Sequence, residues 1–128
     1  AGLTRQAEAL RARHGIQVEI SLCEEPEAPL AIKEALYRIA QEALQNAVRH
    51  ARAERLEMRL DCEPGFLALE VGDNGLGFDP LGDYPGHLGL RSMRERAMNL
   101  GGSLQINSAP GCGSQVRVQI PLPVAQAA

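Results

Sequence analysis

Residues 37–51 read YRIAQEALQNAVRHA and residues 71–78 read VGDNGLGF. The first stretch belongs to a long helix. Ile32, Leu36, Ile39, Ala40, Ala43 and Ala47 recur with a period of 3.6 and form an apolar stripe that has to face a core. Glu34, Arg38, Gln41 and Gln45 fall on the opposite side. Glu42 and Asn46, one turn apart, share the border between the two faces. Arg49, His50 and Arg52 bring positive charge to the helix end, where the macrodipole favours it. The second stretch is a strand that runs out into a glycine turn, with Asp73 at its exit.

The rest of the chain reads outward from these two pieces. Residues 3–13 have the spacing of a short charged helix, and Gly15 stops it. Ile16, Val18, Ile20 and Leu22 alternate with polar residues, as a half-buried strand does. Residues 23–29 form a loop, and Pro29 suits the first turn of the long helix. Leu56, Met58, Leu60 and Cys62 then alternate up to Pro64-Gly65, and Leu67, Leu69 and Val71 alternate on the way back, which predicts a hairpin. Residues 74–87 hold too much Gly and Pro for a regular element. Residues 88–100 resume helical spacing through Leu90, Met93, Ala97 and Leu100, ending at Gly101-Gly102. A second hairpin pairs residues 103–108 with 114–120, where Val116, Val118 and Ile120 point inward.

Helix, strand, helix, two strands, loop, helix, two strands: that order predicts an α/β (α+β) two-layer sandwich. Its sheet is mixed, largely antiparallel and five-stranded, covered on one face by about three helices. Residues 1–122 form one domain, and the Ala- and Pro-containing residues 123–128 read as a disordered tail.

Composition narrows the possible functions. With 13 Lys and Arg against 16 Asp and Glu, the net charge of −3 argues against a dedicated nucleic-acid binder. No apolar run approaches a membrane span, so direct membrane contact is not expected. Cys23, Cys62 and Cys112 make neither a zinc pattern nor a disulfide framework, and the expected compartment is a reducing cytoplasm. Neither GxxxxGK[ST] nor a helix-opening GxGxxG occurs, so a phosphate-binding site has to be built by another route.

The remaining candidates make such a route. An Asn oxygen such as that of Asn46 is a hard ligand suited to magnesium that keeps most of its waters. Glu42 beside it can orient a water or accept a proton. A Glu–Asn pair at this spacing is also an ordinary surface hydrogen-bonding pair. A carboxylate at a strand exit, as Asp73 is, can accept from an exocyclic amine while the following glycines let backbone approach the base. DNG alone is equally a turn. GHLGL at residues 86–90 enters a helix whose first N–H groups favour an anion. GCGS at residues 111–114 is a tight turn with Ser114 opening the last strand. His14, His50 and His87 have no metal-ligand spacing.

In order, QEALQNAVRHA, VGDNGLGF, GHLGLRSMRERA and GCGSQVRVQIPLP resemble the ATP-binding domain of two-component sensor histidine kinases, over residues 30–122. Within that family the short lid and the missing phenylalanine-rich box are similar to the nitrate/nitrite-type sensors. The resemblance implies the Bergerat (GHKL ATPase) fold, with ATP and Mg2+ as ligands. It assigns Asn46 to the metal, Glu42 to the conserved catalytic carboxylate, as base for the incoming histidine or organiser of the metal's waters, and Arg49 and His50 to the neighbourhood of the phosphates. Asp73 would bind the adenine amine, with Gly75, Gly77 and Phe78 shaping that wall. Gly86, His87, Leu88, Gly89 and Leu90 would form the end of the ATP lid, and Ser114 stands where many relatives carry Thr.

The resemblance further implies a histidine protein kinase whose phosphate acceptor is a histidine on a dimerisation domain. None of the three histidines here has that context. The expected reading is therefore the catalytic part of a longer, cytoplasmic or membrane-anchored sensor. It would be monomeric by itself, bind ATP without autophosphorylating, and act through the dimerisation domain on a response regulator. An anti-sigma-factor-type serine kinase or a degenerate docking module are the alternatives.

Overall fold

A computed structural model describes residues 2–23, 28–49, 52–77 and 89–122. The elements are α1 (Gly2–His14), β1 (Gln17–Leu22), α2 (Leu30–Arg49), β2 (Arg55–Glu63), β3 (Phe66–Asp73), α3 (Leu90–Met98), β4 (Ser103–Ser108) and β5 (Ser114–Pro121). The sheet runs β1-β2-β3-β5-β4. β1 pairs with β2 in parallel and the other three pairings are antiparallel. This is the mixed, mainly antiparallel sheet with three helices that the alternation patterns predict.

The helices lie on one face, and every residue of the α2 stripe is buried there: Ile32, Leu36, Ile39, Ala40, Ala43 and Ala47. Ala35 and Leu44 are buried beside them, which widens the apolar face beyond the stripe. From the sheet come Val18, Leu56, Met58, Leu60, Leu67, Leu69, Val71, Val116, Val118 and Ile120, and Met93 and Ala97 come from α3. The opposite face is polar. There Glu70 takes an ion pair from Arg59 and another from Arg117 at 3.6 Å, and Gln115 donates to it at 2.7 Å.

Pleat alternation fixes what the strands present at their ends. Leu67, Leu69 and Val71 face the core, so Asp73 continues the core-facing row at the end where α2 finishes. Leu56 and Ser114 are its paired neighbours.

The cysteines depart from expectation. Cys23 and Cys62 form a disulfide, with Cα atoms 5.9 Å apart, at the end of β1 and β2 away from Asp73. Parallel pairing brings Leu22 opposite Leu60, and Cys23 N donates to Leu60 O at 3.0 Å. The neighbouring strand ends thus set the two thiols at bonding distance. Cys112 is free and exposed.

Candidate functional site

Asp73 is the best-defined member of the site. It is half-buried. Its Oδ1 accepts the Gly75 N–H at 2.8 Å and its Oδ2 accepts the Ser114 hydroxyl at 2.5 Å. The first bond folds the DNG turn back on the strand. The second crosses to β5 and aims the carboxylate, which as an acceptor-only group retains lone pairs for another donor.

Glycine lets two loops meet behind it. Gly77 has φ +70, and a β-carbon there would lie 2.1 Å from the Ala109 carbonyl oxygen. Gly113 has φ +74, and a β-carbon there would lie 2.3 Å from the Asp73 carbonyl oxygen. The turn between β4 and β5 is further joined to this loop by Gly111 N donating to Leu76 O, and Ser108 Oγ donates to Gly113 O at 2.9 Å. Gly77 was expected to shape a wall. Gly113 reads in sequence only as part of a turn, and the doubled glycine of GCG is the one signal of a close approach.

The helices bring the other residues. Glu42 and Asn46 are both half-buried on α2, four positions apart. Gly89 caps the start of α3 in the left-handed conformation, φ 65 and ψ 16, without a side-chain cap. A β-carbon on Gly89 would lie 2.5 Å from Glu42 Oε2, so the Glu42 carboxylate stands against the start of α3. Leu90 packs on the core. Arg49 ends α2. His50, Phe78, Gly86, His87 and Leu88 lie outside the described residues, as does the expected tail.

One end of the sheet therefore collects Asp73, Gly75, Gly77 and Ser114, with Glu42, Asn46 and Gly89 supplied by the helix layer. A groove of about 930 Å3 opens at this same end, lined by Arg55, Glu57, Gly72, Asn107 and Gln115 among others. Asp73, Asn74, Gly113 and Ser114 also line it, whereas none of its lining residues comes from α2 or α3. The candidate site is set by the side chains that converge around Asp73.

The residues fit a magnesium ion of limited kind. Among the described residues no group of three or more His, Cys, Asp or Glu converges. A single hard oxygen from Asn46 suits an ion whose other ligands are water and phosphate oxygens. No helix of the described residues is long and apolar enough to cross a membrane.

Comparison with known proteins identifies the family and the fold. Residues 31–124 match the model of the histidine kinase-, DNA gyrase B-, and HSP90-like ATPases. The sensor protein VraS of Staphylococcus epidermidis is 36% identical over 96 residues, 75% of this chain and 28% of that protein. The sensor histidine kinase LiaS of Bacillus subtilis is 34% identical over 121 residues, 94% of this chain and 33% of that protein. This chain thus spans about a third of the length of these relatives. Among solved structures, a blue-light activated histidine kinase of Erythrobacter litoralis superposes with a TM-score of 0.78 at 30% identity, covering 94% of this chain and 40% of that one. The ATP binding domain of PrrB from Mycobacterium tuberculosis shares the fold, with a TM-score of 0.72 at 24% identity over 95% of this chain and 92% of that one. The narrower nitrate/nitrite-type placement finds no support in these relatives, which are VraS and LiaS sensors.

Proposed function

We propose that this chain, which belongs to the histidine kinase-, DNA gyrase B-, and HSP90-like ATPase family as the ATP-binding catalytic domain of a sensor histidine kinase, binds adenine through Asp73. It then donates the γ-phosphate of ATP to a histidine on a dimerisation domain of its parent protein. One observation carries the reading: a half-buried carboxylate, aimed by Gly75 and Ser114, stands on the core-facing row at the sheet end served by Glu42 and Asn46.

Phosphoryl transfer asks a protein chiefly for position and charge neutralisation. Asp73 accepts the exocyclic amine of adenine and fixes the base. Asn46 would hold magnesium, which when bound neutralises phosphate charge. The start of α3 at Gly89 offers first-turn N–H groups, which a helix leaves without intrahelical partners, to the phosphates. Arg49 and His50 are assigned to the phosphates by the family resemblance alone. Glu42, placed against that helix start, either accepts the proton of the incoming histidine or orders water at the metal. By the family resemblance, Phe78, Gly86, His87 and Leu88 would contribute to the base wall and the lid, with Gly75 and Gly77 letting backbone approach. Residues 1–122 act as one cytoplasmic, monomeric unit whose partner is the dimerisation domain and, through it, a response regulator.

Calorimetric titration of ATP and ADP, with and without magnesium, tests this reading. We expect saturable binding that Asp73→Asn weakens by at least about tenfold, and a magnesium-dependent gain that Asn46→Ala removes. Labelled ATP should leave no phosphohistidine on this chain alone. No binding of either nucleotide by the folded protein would overturn the proposal.

A further inference from the structure

Asn74 reads in the sequence as half of a favoured Asn-Gly turn. Its carboxamide does more than a turn requires. Oδ1 accepts the main-chain N–H of Glu54 at 3.0 Å and that of Arg55 at 2.9 Å, and the Asn74 N–H donates to the Arg55 carbonyl at 3.3 Å. The β2–β3 ladder has its last pair at Leu56 and Asp73. One step beyond, the Asn74 side-chain oxygen stands in for a strand carbonyl. The ladder gains a rung while the main chain is already turning to put Gly75 N on Asp73.

The segment held by this oxygen is the one that leaves α2. Arg52 there takes φ 51, a left-handed conformation that a non-glycine residue keeps only where its surroundings impose it. Ala53, buried, donates its N–H back to the Ala47 carbonyl at 3.0 Å, and Ala47 directly follows Asn46. Glu54 also gives its carbonyl to Gln17 N of β1 at 3.0 Å. A short run of bonds therefore leads from Asp73 and Asn74, through Glu54 and Ala53, to Ala47 and Asn46. Asn74 contributes the only side chain in that run.

Given that Asp73 receives adenine as proposed above, we infer that Asn74 is a positioning residue. It sets the span between the base-binding carboxylate and the turn of α2 that carries Asn46. ATP is gripped at both ends, and a misplacement of about 1 Å between them can cost on the order of a hundredfold in rate. Adenosine, gripped at one end only, is less sensitive to that span.

Adenosine and Mg-ATP are titrated into the wild type, Asn74→Ala and Asn74→Asp, and amide hydrogen exchange is followed at Glu54 and Arg55. Asn74→Ala should lose protection at both amides and bind Mg-ATP roughly tenfold more weakly, with a smaller loss for adenosine. Asn74→Asp keeps an acceptor oxygen and should keep the protection, with affinities within about twofold of the wild type. A folded Asn74→Ala that binds Mg-ATP like the wild type overturns the inference. So does an equal loss for both ligands, which would confine Asn74 to the base pocket, or an Asn74→Asp that fails as Asn74→Ala does. Should Asn74→Ala not fold, Asn74→Asp decides alone on the same twofold criterion. A wild type that binds neither ligand removes the nucleotide reading itself, a different failure from any of these.

Discussion

The two ends of the sheet are closed by different means. At the far end the chain is held covalently by Cys23–Cys62 and further by the tight Pro64-Gly65 turn and by Leu122 N donating to Gly65 O at 2.8 Å. At the site end no covalent link is present among the described residues. Two loops interlock there through glycines that permit backbone to touch backbone, and a carboxylate, a hydroxyl and an amide oxygen finish the joints. The first end is held chiefly by its disulfide. The second is the end proposed to take the nucleotide, and contacts that can shift by a few tenths of an ångström suit that task.

If this division is right, changes at the far end alter stability alone, and changes at the site end alter nucleotide affinity. Cys62→Ser opens a loop closed over 39 positions and should lower unfolding free energy by about 4 kcal/mol in the chain-entropy account. Urea denaturation with and without reductant measures this, and ATP affinity should not move. Gly77→Ala comes next. A strained φ of +70 and a contact of 2.1 Å with a carbonyl should cost roughly 3 kcal/mol, read by the same denaturation curves, with nucleotide affinity falling too. Asp73→Ala should weaken ATP on the order of a hundredfold, since it removes a charged acceptor, and cost about 1–2 kcal/mol of stability through the lost bonds to Gly75 and Ser114. Ser114→Ala is the mildest, costing affinity about 1 kcal/mol, and Ser114→Thr should restore it by calorimetry. A Cys62→Ser variant that lost ATP binding would erase the distinction between the ends.

Much of this was legible beforehand, for identifiable reasons. The α2 stripe and the β2–β3 hairpin announce themselves because each is a local pattern: a period of 3.6, then a period of 2 interrupted by Pro64-Gly65. Asp73 was legible because strand alternation counts it onto the core-facing row. The disulfide was not, because three cysteines permit three pairings and only the parallel placement of β1 against β2 selects one. Asn74 was obscured by the commonness of its neighbour: Asn before Gly is explained by a turn, and nothing local reveals that its oxygen reaches back 19 and 20 positions. The contact of Glu42 with Gly89 depends on how α2 and α3 pack. Spacing within either helix carries no information about it.

The bond between Ser114 and Asp73 joins residues 41 positions apart, whereas the adjacent hairpin closes across Pro64 and Gly65. Loop entropy favours the hairpin over the Ser114–Asp73 contact, so the proposed base pocket assembles late, from pieces already folded. A nucleotide can recognise only the finished pocket. ATP should then slow unfolding while leaving the refolding rate unchanged, an asymmetry that stopped-flow traces with and without nucleotide would record.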